Sequence, residues 1–305
     1  MENTINIENL NKKYKDLTIV KSINMFVNKG EIYGLLGRNG AGKTTIMKII
    51  LGLTKPTSGK VTVLGKDTST VVGKDVLKKV GCIIETPGFY SNLTGAENLK
   101  IFAKLRNIDE NLVKEVLELV NLSYNDRKLF SKYSLGMKQR LAIANAIMHK
   151  PEVLILDEPI NGLDPIGIAE VRNLFKMFRQ SGTSILISSH ILSELENLAD
   201  RIGIINDGNL IDEIDMVKWH AQNNGFIKIY AEDKEAVVKA LFSVGLKEYE
   251  LEITSNEIVV KAKNVTVSEL SKIFANNNVD ISGIIENKTT LEDYFKKVTG
   301  GQGIG

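Results

Sequence analysis

The sequence predicts an α/β layered protein followed by a small α+β unit. Three observations carry this. Strand-like and helix-like apolar patterns alternate to about residue 220, as they do where a largely parallel sheet is flanked by helices. Residues 153–156 and 184–187 read as buried strands, and the first is a continuous apolar run suited to burial on both faces. Beyond residue 220 the order becomes strand (226–230), helix (234–243), two strands (249–254, 257–262), helix (267–275) and strand (281–286). That β-α-β-β-α-β order is the ferredoxin-like plan.

The elements follow in order. Residues 5–10 and 22–27 alternate apolar and polar, as half-buried strands do, and 31–36 form a third strand. A helix carrying Ile46, Ile49, Ile50 and Leu53 on one face runs to a stop at 55–59. Strands are expected at 60–64 and 80–85, then a loop, 86–90, with adjacent Phe89 and Tyr90. Thr94 and Glu97 form a capping box ahead of a helix through Leu105. Leu112, Val113, Val116, Leu117 and Val120 mark an amphipathic helix. Ser134 opens another, with Leu141, Ala144, Ile147 and Met148 on one face and Pro151 at its end. Ile168, Val171, Leu174, Phe175 and Phe178 give a further helix, 191–199 one more, and 202–213 a hairpin around Asp207-Gly208. Gln222-Asn223-Asn224-Gly225 reads as a linker, Thr290 opens a last helix, and 300–305 are expected to be disordered. The expected domains are 1–222 and 223–299.

Composition narrows the function classes. Of 305 residues, 43% are apolar and 25% charged, which is ordinary for a soluble globular protein. A net charge of +2 gives no case for a nucleic-acid partner. The single cysteine, Cys82, excludes an intramolecular disulfide; in an apolar run it reads as a small buried hydrophobe in a reducing cytoplasm. Met1-Glu2-Asn3-Thr4 lacks the plan of a signal peptide, and no apolar run is long enough for a membrane span. Any membrane role is therefore expected to come through a partner.

The chemistry centres on Gly37-Arg38-Asn39-Gly40-Ala41-Gly42-Lys43-Thr44, between a strand and a helix that takes in Thr45. This is the spacing and context of a P-loop. Glycines let successive N–H groups curl around an anion, and the helix adds its positive end. Lys43 supplies a charge for the outer phosphates, and the Thr44 hydroxyl can reach Mg²⁺. The second signal is Asp157-Glu158, closing the buried strand 153–156 in the Walker B pattern. Asp157 can orient Mg²⁺ and its waters, and Glu158 can take a proton from an attacking water or align it. The third is Tyr133-Ser134-Leu135-Gly136-Met137, where a serine caps a helix that could face a second phosphate.

With these motifs in this order, residues 1–220 resemble the nucleotide-binding subunit of an ATP-binding-cassette (ABC) transporter. The resemblance implies a P-loop ATPase domain, with a mixed sheet core plus a helical subdomain, that binds ATP and Mg²⁺ and hydrolyses ATP. Ser134, Leu135, Gly136 and Met137 match the family signature, with Leu135 and Met137 replacing its usual glycine and glutamine. Asp164, in Asn161-Gly162-Leu163-Asp164, is similar to the D-loop aspartate that couples two sites, and His190 to the switch histidine on the γ-phosphate. Tyr14 takes the place of the aromatic that stacks on adenine. Glu85 stands where the family usually carries a glutamine that contacts Mg²⁺, so the resemblance implies Glu85 as a Mg²⁺ residue with Thr44 and Asp157. That glutamate, the run 133–141 and the ending Leu291-Glu292-Asp293-Tyr294-Phe295 resemble the bacitracin-resistance and lantibiotic-immunity branch. The implied partners are a second copy of the chain, completing each ATP site head to tail, and a membrane permease holding the protein at the cytoplasmic face. Phe89, Tyr90 and the helix to Leu105 are candidates to receive the permease. A general drug or lipid efflux ATPase, a non-transport cassette ATPase and a small-molecule kinase are the competing readings. The last is opposed by Glu158 and the signature stretch.

Overall fold

In the computed structural model, the described residues are 2–70, 73–85, 88–222, 225–254, 256–261, 265–287 and 290–300. The expected linker residues Asn223 and Asn224, the loop residues Thr86 and Pro87, the strand end Ala262 and the tail 301–305 lie outside them. The chain divides into two compact units, Met1–Met216 with Val298–Gly305, and Val217–Lys297.

The first unit begins with β1 (Asn3–Tyr14), β2 (Leu17–Asn28), β3 (Ile32–Gly37), α1 (Lys43–Ile50), β4 (Ser58–Val63) and β5 (Lys66–Asp67). It continues with β6 (Val80–Ile83), α2 (Gly95–Arg106), α3 (Leu112–Leu119), α4 (Leu135–Ile147), β7 (Val153–Asp157) and α5 (Pro165–Gln180). Last come β8 (Ser184–Ser189), α6 (Leu192–Leu198), β9 (Arg201–Asn206) and β10 (Asn209–Asp215). One sheet, ordered β2-β1-β4-β5, is antiparallel. The other, β10-β9-β3-β8-β7-β6, is parallel except for its β9–β10 edge. Every residue of β3 and β8 is buried, as are all of β7 but Asp157, because both faces of a parallel sheet are covered. One apolar cluster holds Ile5, Ile7 and Leu10 of the first sheet, Ile46, Ile49 and Ile50 of α1, and Leu35, Ile155 and Leu186 of the second. The helix behind the glycine-rich loop is therefore clamped by packing on both sides.

The helical layer follows the sequence closely. Thr94 Oγ1 accepts from the Glu97 N–H at 3.2 Å and Glu97 Oε2 accepts from the Thr94 N–H at 2.8 Å, so α2 starts where the capping box places it. Buried Leu99, Val113, Val116, Leu117 and Leu141 form the facing stripes of α2, α3 and α4.

Three expectations need correction. Leu53 lies beyond α1 and is 66% exposed, because Gly52 turns the chain into the left-handed region at φ 63° directly after the helix. Cys82 is exposed. Its strand, β6, is the edge of the six-stranded sheet, so a side chain there can meet solvent. The surrounding protein still raises the Cys82 thiol pKa, with Arg106 pulling the other way. Phe89 is partly buried, its ring 5.5 Å from Phe102 and 5.2 Å from Phe130, so it belongs to a local aromatic cluster; Tyr90 beside it remains 53% exposed.

A helix the periodicity did not reveal, α7 (Met216–Gln222), leads into β11 (Phe226–Tyr230), α8 (Lys234–Ser243), β12 (Leu251–Ile253) and β13 (Ile258–Val260). After these come α9 (Val267–Asn276), β14 (Gly283–Asn287) and α10 (Leu291–Val298). The sheet order is β12-β13-β11-β14 with every neighbouring pair antiparallel. Ile227, Ile229, Ile258 and Val260 share a core with Val237 and Leu241 of α8 and Leu270 and Phe274 of α9. The Trp219 and Tyr294 rings meet edge to face at 5.3 Å. Among the described residues no helix is long and apolar enough to cross a membrane.

Candidate nucleotide site

The site forms at the carboxyl ends of β3, β7 and β8, where open α/β sheets leave a crevice. Gly37 ends β3 against β9; a Cβ there would sit 2.4 Å from the Ile205 carbonyl oxygen, so only glycine fits. Gly42 has φ 110°, which glycine alone adopts freely, and it starts α1 with no side-chain cap. The first-turn N–H groups of α1 are thus left for an anion, with the positive end of the helix dipole behind them. Lys43 is buried, and its Nζ donates to the carbonyls of Gly37 and Arg38. Burial lowers its pKa; Glu158 and Asp157 pull it back up.

The carboxylates come from β7. Register places Asp157 beside Ser188 of β8. Thr44 Oγ1 donates to Asp157 Oδ2 at 2.6 Å, tying the start of α1 to the end of β7. Glu158 follows with φ 49°, a strained backbone for a residue with a side chain. Its Oε2 lies 2.8 Å from His190 Nδ1, and its Oε1 is 3.6 Å from Lys43 Nζ. Oε1 is buried and, with Lys43 as its neighbouring cation, accepts no hydrogen bond among the described residues, so it keeps a lone pair that could accept a proton.

Tyr14, Arg38, Asn39, Gly40, Gly42, Lys43, Thr44, Thr45, Asp157 and Glu158 line one cleft together with Ile19, which sequence reasoning did not single out. Ala41 is buried behind it. Tyr14 is 48% exposed, and Lys12 Nζ stands 4.4 Å over its ring. Ser134, Leu135, Gly136 and Met137 lie outside this cleft, at the start of α4. The Ser134 side chain accepts from the Met137 N–H at 3.3 Å, and Leu135 is 64% exposed against the position of Gly162. Asp164 caps α5, accepting from the Gly167 N–H at 2.9 Å. Glu85, expected with Thr44 and Asp157 at Mg²⁺, is not among the residues that line the cleft with them; it is exposed, has φ 57° and pairs with Lys48 Nζ of α1 at 2.5 Å. Lys48 and Ser188 were not foreseen. For Ser188 the one available signal was a hydroxyl inside an apolar strand, which needs a partner when buried.

A phosphate cradle, a carboxylate at the adjacent strand tip and a glutamate with a free lone pair define a P-loop nucleotide hydrolase. Residues 20–161 match the family model described as ABC transporter. The chain is 49% identical over 306 residues to the bacitracin transport ATP-binding protein BcrA of Enterococcus faecalis, covering 100% of this chain and 99% of that one. It is 46% identical to the lantibiotic transport ATP-binding protein SrtF of Streptococcus pyogenes over 209 residues, 68% of this chain and 90% of that one. A solved ATP-binding subunit of an ABC transporter superposes with a TM-score of 0.64 at 28% identity, over 72% of this chain and 92% of that one. The chain belongs to the ABC transporter family, as an ATP-binding subunit that hydrolyses ATP.

Proposed function

We propose that this chain powers a membrane exporter that confers resistance or immunity to antimicrobial peptides of the bacitracin or lantibiotic kind. The observation that carries this is the extent of the match. Likeness to a bacitracin transport subunit runs through the whole chain, including 217–297, whereas likeness to the lantibiotic subunit covers 68% of it. The first of the two peptide classes is therefore favoured.

In this reading Tyr14 stacks on adenine, and residues 37–45 hold the phosphates. The donor set suits Mg²⁺: Thr44 Oγ1 and Asp157 Oδ2 are hard oxygens 2.6 Å apart, and a magnesium site takes one or two protein oxygens with phosphate and water completing it. Bound there, Mg²⁺ would neutralise phosphate charge. Glu158 takes the proton of the attacking water on Oε1, while His190 fixes the other carboxylate oxygen and reaches the γ-phosphate. Two copies pack head to tail, so that Ser134–Met137 of one close over the ATP held by the other and exclude water. Asp164 couples the two sites and Glu85 links the Mg²⁺ region to a permease at the cytoplasmic face. The unit after residue 222 is a separate accessory domain.

Deletion of the gene tests the substrate class. Susceptibility to bacitracin-type or lantibiotic peptides should rise several-fold and return with the wild-type chain but not with Glu158→Gln. Unchanged susceptibility across a panel of such peptides refutes the proposal.

A further inference from the structure

Ser188 sits at the end of β8, 0% exposed in an Ile-Leu-Ile strand, where an apolar side chain would satisfy the packing. Its hydroxyl is used twice. Oγ donates to Asp157 Oδ1 at 2.6 Å and accepts from the Glu158 N–H at 3.0 Å. The carbonyl of Glu158 is held as well, accepting from the Asn161 N–H at 3.3 Å and, more weakly, from Gln139 Nε2 at 3.4 Å. Glu158 is the residue with left-handed backbone in this strand tip, and such a conformation persists only where its surroundings over-determine it. The Asp157 oxygen not taken by Thr44 is the one that Ser188 holds.

We infer that Ser188 is a positioning residue for hydrolysis: one hydroxyl locks the Asp157 carboxylate and the strained Glu158 backbone in the geometry that aims Glu158 at the attacking water. Ser188 holds Glu158 by its backbone N–H and not by its carboxylate, and makes no hydrogen bond to the P-loop among the described residues, so it acts on turnover through Glu158 rather than on nucleotide affinity. The inference rests on the roles proposed for Asp157 and Glu158. Removing the hydroxyl leaves a half-buried carboxylate oxygen and a half-buried N–H unpaired together.

The test uses the full chain with saturating Mg²⁺, measuring phosphate release, binding of a fluorescent ATP analogue and melting temperature. Ser188→Ala should lower kcat roughly ten- to a hundredfold, with KM and analogue affinity within about twofold of wild type. Ser188→Thr, which keeps the hydroxyl, should recover most of the turnover. Should the alanine variant fail to fold, Ser188→Cys, similar in size but a weak donor, takes its place with the same expected loss. Wild-type kcat in a variant that binds the analogue normally overturns the inference. So does a parallel loss of turnover, affinity and melting temperature in the alanine and threonine variants, which is the mark of a purely structural serine. Glu158→Gln is measured alongside. If it turns over normally the role of Glu158 itself fails, whereas an inactive Glu158→Gln beside a normal Ser188→Ala sinks Ser188 alone.

Discussion

Two helix starts in this chain, those of α1 and α4, are finished differently. At α1 the cap is Gly42, which has no side chain to offer, and the first-turn N–H groups stay available. At α4 the cap is Ser134, whose side chain already accepts from the Met137 N–H. The first start has no side-chain cap, whereas at the second one first-turn N–H is already taken by the Ser134 side chain. In the proposed head-to-tail pair the first surface is the receptor and the second the lid.

The largest effect should come from Glu158→Gln. Loss of the base should cut turnover roughly 10²- to 10⁴-fold while ATP still binds, and gel filtration with Mg-ATP should show a stable dimer. A monomer under saturating Mg-ATP would break the receptor-and-lid comparison. Lys43→Met comes next, as a pH test of the receptor. Burial lowers the Lys43 pKa below the ordinary 10.5, so between the lowered value and 10.5 unfolding takes up a proton at this site. The cost to the nucleotide-free fold is full below the lowered pKa and disappears as pH rises from it to 10.5. Wild type should gain stability relative to Lys43→Met across that alkaline window, by at most about 1.4 kcal/mol per pH unit, in calorimetric melts. A flat difference would show that Lys43 is not strained by burial.

Ser134→Ala should remove about 1 kcal/mol of stability through the lost cap and lower hydrolysis in the dimer roughly tenfold, with ATP affinity of the monomer unchanged in titration calorimetry. Weakened monomer affinity would place Ser134 in the receptor instead. Glu85→Gln should have the smallest effect on the isolated chain. It breaks an exposed ion pair with Lys48, worth under about 1 kcal/mol. ATP binding should persist while the ratio of transport to hydrolysis changes in the assembled exporter; wild-type values for both would leave Glu85 without a special role.

Much of the site was legible because its parts are local. The spacing of Gly37, Gly42, Lys43 and Thr44 specifies a loop and a helix start, and an aspartate closing an apolar strand specifies where a carboxylate emerges. The capping box at Thr94 placed α2 correctly for the same reason. Leu53 misled because helical periodicity does not say where a helix stops, and Cys82 because an apolar run does not say whether its strand is central or an edge. Phe89 and Phe130 are far apart in sequence, so their contact could not be read from either neighbourhood.

Legible in the sequence alone are the glycine-rich loop ahead of α1, the acidic pair at the end of β7 and the change of style after residue 220, since each follows from short-range spacing and periodicity. The tertiary structure decided what those parts touch. Strand register set Ser188 beside Asp157, and the packing of loops and α1 at the sheet's end brought Glu158 to His190 and Lys43 and Glu85 to Lys48. Those contacts span 31, 32, 115 and 37 positions of chain for Ser188–Asp157, His190–Glu158, Lys43–Glu158 and Lys48–Glu85, and only the packing of a parallel sheet brings such positions together.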